Sequence, residues 1–159
     1  MGLGEDLGQK LREKGKTIAV AESMTGGLVA SLITDVPGSS AYFVGGVVAY
    51  SNELKTKLLG VKQSTLERFG AVSEQTAAEM AEGIREITGA DVGASLTGIA
   101  GPGGGTEKKP IGLVFFAVDS GNDIKEVRKA IIEGNRLEIK RRASELILCM
   151  IIECLDRLK

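Results

Sequence analysis

The sequence contains no histidine and no tryptophan, and only two cysteines and three prolines. Without histidine there can be no Ser-His-Asp triad, no Cys-His pair and no His-containing zinc site. Cys149 and Cys154 both lie in ILCMIIECL, on different faces of the helix this run predicts, among apolar neighbours that raise thiol pKa values. They read as core residues, since free Cys is among the most buried residue types. An excess of one charge is also missing: 20 basic and 21 acidic side chains give a net charge of −1, and no basic run exceeds three residues. With aromatic residues at only 4%, the basic, aromatic-bearing surface of a nucleic-acid binder is excluded. No apolar run approaches the ~20 residues of a membrane span, and MGLGEDLGQKLREKGK lacks the apolar centre of a signal peptide. The expected setting is the cytoplasm, with neither nucleic acid nor membrane as partner.

What the chain has in excess is glycine, 22 of 159 residues and about twice the ~7% average. The glycines gather at turns without a repeat, so they set backbone geometry at particular places. The length of 159 residues matches one domain of the usual ~100–200 residues, with no boundary or linker between 1 and 159. Such a chain buries roughly 70% of its unfolded surface and needs no disulfide.

Hydrophobic patterning supplies the elements. EDLGQKLREKG predicts a helix ended by Gly15. KTIAVAE predicts a strand buried on both faces, and GGLVASLITDV a helix stopped at Pro37-Gly38. YFVGGVVAY predicts a second strand, followed by the helix NELKTKLLG with Asn52 as its cap. A short helix from Ser64 to Gly70 precedes a longer one capped by Ser73, whose Ala77, Met80, Ala81, Ile84 and Ile87 share a face. DVGASLTG is a buried strand breaking into the loop GIAGPGGG; IGLVFFAVDS and residues 124–132 form a hairpin across Gly121-Asn122. Asn135 opens a long final helix. The expected fold is α/β, a three-layer α/β/α sandwich around a mixed, mostly parallel sheet of about five strands, one of them antiparallel.

Ligands in such sheets gather beyond the carboxyl ends of the strands. Three segments lie there: Glu22-Ser23 with Gly26-Gly27, Tyr50-Ser51-Asn52 with Lys55, and Thr97-Gly98 with its glycine-rich loop. Ser23 can cap the next helix, a role for which Thr25 competes, or serve as a nucleophile on a strand-to-helix turn. The turn is not G-x-S-x-G, because Ala21 and Thr25 occupy the glycine positions. The Gly pair would expose backbone N–H groups to an anion or oxyanion. With no histidine, the available bases for a serine are a desolvated Lys, a carboxylate or an ionised Tyr. No Ser has Lys three residues later, so a Ser-Lys pair must be assembled by folding. Lys55, one turn into its helix, is the candidate; a solvated helix charge is the alternative. The loop matches neither a Walker A sequence nor G-x-G-x-x-G, and is either a backbone nest for an anion or a flexible connection. Arg136 could add a guanidinium to a phosphate site.

AESMTGG, PGSSAYFVGGVVAYSNELKTKLLGV, GAVSEQTAAEMA and SLTGIAGPGGGTEKKPIGLV together resemble the CinA C-terminal domain family. The likeness runs from about Thr17 to Asp119, with weaker agreement in EGNRLEIKRRA. It implies a three-layer α/β/α fold, usually dimeric, in a stand-alone form similar to nicotinamide mononucleotide deamidases, which release ammonia and nicotinic acid mononucleotide. It implies Ser23 as nucleophile, Lys55 as base and the Tyr50 hydroxyl as an orienting or relaying group, with no metal or organic cofactor. Glu22, Thr25, Gly26, Gly27, Asn52, Thr97, Gly98, Gly101, Gly103 and Arg136 would surround the substrate, with Gly26-Gly27 at the oxyanion and Thr25 also suited to capping. Met24 stands where many members have Cys, and Gly134-Asn135-Arg136 replaces a Gly-Asp-Arg-like pattern. The competing expectation is a nucleotide-binding regulatory or interaction module without turnover, which needs the glycine loops and Arg136 but neither Ser23 nor Lys55.

Overall fold

A computed structural model describes residues 2–158 of the chain. IAVAE forms strand β1 (Ile18–Glu22), buried at every position. Its small and β-branched side chains suit a strand that meets water on neither face. Two strands flank it in parallel, β2 (Phe43–Val48) on one side and β3 (Val92–Gly98) on the other. β4 (Leu113–Asp119) pairs antiparallel with β3, and β5 (Lys125–Ile131) antiparallel with β4. The order is β2-β1-β3-β4-β5, so β4 alone runs against the other four. The Gly121-Asn122 turn closes the β4–β5 hairpin, with Ser120 N donating to Ile124 O at 2.8 Å.

Alternation along the strands assigns the two covering layers. Ile18 and Val20 point with Val92, Ala94 and Leu96 into the larger core, beneath α1 (Leu3–Lys14), α2 (Leu28–Thr34) and α6 (Arg136–Arg157). Ala19 and Ala21 point the opposite way, toward Leu59 of α3 (Asn52–Leu59) and Met80 and Ile84 of α5 (Glu74–Thr88), with α4 (Gln63–Phe69) against α5. The result is the expected three-layer α/β/α sandwich. On this second side, helices and strands approach closely enough that two positions admit only glycine. A Cβ on Gly83 would stand 1.8 Å from the Leu59 carbonyl oxygen, and one on Gly93 2.2 Å from that of Ala81. The contact at Gly83 draws the end of α3 against α5, which fixes the depth at which α3 sits.

Three local expectations change. Asn52 is the first residue of α3 rather than its cap; the Ser51 side chain caps, accepting from Leu54 N at 3.1 Å. The fourth helix begins at Gln63, one residue before Ser64. Its first turn is capped from outside: Glu79 of α5 accepts from Lys62 N at 2.8 Å and from Thr65 Oγ1 at 2.7 Å. Cys154 is buried, whereas Cys149 is only half-buried; burial pushes both thiols up. The caps at Ser73 and Asn135 form where their sequences place them, the latter as a capping box with Glu138. Among the described residues, no helix is long and apolar enough to cross a membrane.

Candidate active site

The site begins where β1 ends. Ser23 follows Glu22 directly, and a tight turn returns the chain into α2, with Gly26 N donating to Ser23 O at 3.1 Å and Leu28 N to Thr25 O at 3.2 Å. Gly26 and Gly27 take φ of 63° and 106°, a region that side chains with a Cβ rarely adopt. Neither the Ser23 nor the Thr25 side chain accepts a capping bond from the helix. Glu22 does so instead. Its Oε1 accepts from Thr25 Oγ1 (2.6 Å), Gly27 N (3.2 Å) and Val29 N (2.9 Å), and its Oε2 from Ala30 N (2.9 Å).

This arrangement leaves four of the expected substrate contacts, Glu22, Thr25, Gly26 and Gly27, outside the lining of the cleft described below. Glu22 and Thr25 are each 1% exposed and bonded to one another, beneath the turn rather than in a cleft. Gly26 N and Gly27 N donate to Ser23 O and Glu22 Oε1, so in this structure the pair holds the turn. The serine hydroxyl, freed from capping, has a different partner.

That partner is Lys55. A solvated lysine was one of two sequence expectations, yet its side chain is 1% exposed. Position 55 lies one helical turn before Leu59, on the face of α3 that the α5 contact presses inward. Lys55 Nζ donates to Ser23 Oγ at 3.1 Å, to Ala49 O at 2.8 Å and to Tyr50 O at 3.2 Å. No carboxylate pairs with it among the described residues. Burial alone pushes the Lys55 ammonium down to about 8. The Tyr50 contribution also differs from expectation: its backbone carbonyl, not its hydroxyl, meets the lysine. The exposed phenol accepts from Arg136 Nη2 at 3.2 Å, while Arg136 Nη1 donates to Gly101 O at 2.6 Å. Arg136 thus ties the end of β2 to the glycine-rich loop.

Ser23, Lys55, Tyr50, Asn52, Thr97, Gly98, Gly101, Gly103 and Arg136 line one open cleft of about 280 Å³. It lies at the carboxyl ends of β1, β2 and β3, as strand-end geometry predicts. Within it the Thr97 hydroxyl is turned away, donating to Ala71 O at 2.9 Å. Ala71, Val72, Ile99, Ala100 and Gly104 complete the wall, with Met24 beside the serine. Ala71-Val72 read in sequence only as a connection between helices; the fold brings them in because α5 packs on β3. Larger grooves of about 510 and 530 Å³ lie elsewhere. Neither contains a buried amine beside a hydroxyl, so chemistry rather than volume selects the smaller cleft. Among the described residues, no group of three or more Cys, Asp or Glu is placed to hold a metal ion.

A lysine with a lowered pKa in hydrogen-bond reach of a serine is the arrangement of a base beside a nucleophile. Known proteins share both the chain and the fold. The family model described as the CinA C-terminal domain matches residues 2–155. A CinA-like protein of Leptospira borgpetersenii is 48% identical over 153 residues, covering 96% of this chain and 37% of that protein. The chain spans about a third of the length of the curated relatives it matches. The crystal structure of a competence or damage-inducible protein from Enterobacter asburiae superimposes with a TM-score of 0.92 at 35% identity, covering 96% of each chain. That of competence damage-inducible protein A from Klebsiella pneumoniae gives 0.94 at 31% identity, covering 99% of this chain and 97% of the other.

Proposed function

The chain belongs to the CinA C-terminal domain family, and we propose that it hydrolyses the carboxamide of nicotinamide mononucleotide to nicotinic acid mononucleotide and ammonia. The observation that carries this reading is the buried Lys55 amine 3.1 Å from Ser23 Oγ. As an ammonium, Lys55 has three N–H donors and three acceptors around it. As a neutral amine it keeps two N–H bonds, to Ala49 O and Tyr50 O, and its lone pair then faces the serine hydroxyl. The two carbonyls therefore orient the base as well as anchor it.

In the proposed reaction Ser23 Oγ attacks the carboxamide carbon and Lys55 takes the serine proton. The ammonium then protonates the departing nitrogen, ammonia leaves, and an ester to Ser23 remains. Water attacks that ester with Lys55 again as base, and the carboxylic acid is released with the serine restored. Positioned proton transfer of this kind contributes about 10²–10⁴-fold. The Met24 N–H, next after the nucleophile, is the oxyanion donor that strand-to-helix nucleophile turns favour. Arg136 at the cleft mouth supplies the guanidinium a nucleotide phosphate requires, and the exposed ring of Tyr50 offers a face to the pyridine.

Only neutral Lys55 can act as base. Turnover is therefore expected to rise with pH and reach half its plateau near 8, where the Lys55 ammonium loses its proton. The test is purified protein with nicotinamide mononucleotide from pH 6 to 10, with both products measured by mass spectrometry. If the nucleotide raises the melting temperature and no ammonia appears at any pH, the competing binding-module reading stands instead.

A further inference from the structure

We propose that Glu22 is a positioning residue that fixes the Ser23–Lys55 separation, an inference that rests on the nucleophile–base reading of this pair. Its side chain and its backbone act on the two partners separately. The carboxylate gathers Thr25 Oγ1 and the N–H groups of Gly27, Val29 and Ala30, immobilising the turn that carries Ser23. The Glu22 carbonyl accepts from Ala49 N at 2.8 Å, and the carbonyl of that same Ala49 accepts from Lys55 Nζ at 2.8 Å. The lysine donates to Ser23, adjacent to Glu22 in the chain, and the circuit closes.

Glu22 itself makes no contact with the cleft, so its effect passes through the position of Ser23. A carboxylate suits this place because it is an acceptor at both oxygens, and all four of its partners are donors. Glutamine keeps the shape and the Oε1 contacts but turns an N–H toward the Ala30 N–H. That mismatch disturbs the turn one residue from the nucleophile. Misplacement of a reacting atom by about 1 Å can cost about 10²-fold in rate.

The experiment is the labelling rate of Ser23 by a fluorophosphonate in the purified full chain, read by intact mass and peptide mapping. In that reaction the Ser23 Oγ–P bond forms, the P–F bond breaks, fluoride leaves and Lys55 takes the serine proton. E22Q is expected to label about tenfold or more slowly at temperatures well below its melting point, with the pH midpoint of labelling unchanged from the wild type. Folded E22Q that labels within about twofold of wild type overturns the proposal. So does slow labelling with a shifted midpoint, which would mean that the Glu22 charge acts on Lys55. Should E22Q not fold, T25V and T25S decide, since T25V removes the hydroxyl donor to Glu22 while T25S keeps it. Slow T25V with T25S near wild type supports positioning; equal rates for the two overturn it. A wild-type protein that carries no label on Ser23 refutes the nucleophile reading itself, and is distinguishable from all of these.

Discussion

Replacing Ser23 with Ala is expected to lower ammonia release by about 10⁴–10⁶-fold, the scale on which serine hydrolases lose turnover with their nucleophile. The fold should be almost untouched. The Ser23 hydroxyl makes one hydrogen bond, from the buried Lys55 ammonium, and its loss costs about 1–3 kcal/mol at neutral pH without disturbing the backbone. α2 is capped by Glu22, so removing the hydroxyl uncaps nothing. Substrate affinity, set by the other walls of the cleft, should remain within a few-fold of wild type by calorimetry. This separation of turnover from binding distinguishes a nucleophile from a structural serine. Wild-type turnover in S23A would mean that another group attacks the amide.

Replacing Lys55 with Met is expected to change activity and stability in opposite directions. Loss of the base should lower turnover by about 10²–10⁴-fold. At neutral pH the native protein holds a buried ammonium whose pKa has fallen from 10.5 to about 8. A group lowered by that much costs folding about 3 kcal/mol wherever both folded and unfolded chains bind the proton. The cost is present in full below pH 8 and is relieved as pH rises toward 10.5, because only the unfolded chain still holds its proton in that window. Methionine removes the charge and keeps the volume, while leaving Ala49 O and Tyr50 O without their donor. The net expectation is a gain of about 1–2 kcal/mol at pH 7, a few degrees in melting temperature for a chain of this size, shrinking to nothing or reversing by pH 10. K55R separates charge from basicity: the guanidinium does not deprotonate in this range, so it should be inactive at every pH. Equal stability of K55M and wild type across the pH range would mean that the lysine is better solvated than its burial indicates.

Much of the fold is legible in the sequence because hydrophobic period and turn residues agree locally. IAVAE can be buried on both faces, Gly121-Asn122 closes a hairpin, and Asn135 opens the last helix. The strand ends that carry Ser23, Tyr50 and Thr97-Gly98 follow from those elements. What local pattern does not reveal is long-range burial. Lys55 looks like any helix-surface lysine; it is inside because Gly83 lets the α3 terminus close on α5, a contact between residues far apart in the chain. Glu22 beside a serine resembles a substrate ligand, and only the return of α2 over the β1 end shows it as a cap. Tyr50 lines the cleft as expected, but strand geometry presents its carbonyl to Lys55 and its hydroxyl to Arg136.

In the proposed reaction, activation of Ser23 depends on the proton on Lys55 Nζ. Heteronuclear NMR of the lysine Cε and Nζ signals, assigned by comparison with K55M and followed from pH 6 to 11, measures it directly. A Lys55 midpoint near 8 is predicted, coinciding with the midpoint of turnover. A Lys55 signal that titrates at the ordinary lysine value of 10.5, while the protein turns over at pH 8, would contradict Lys55 as the base for Ser23.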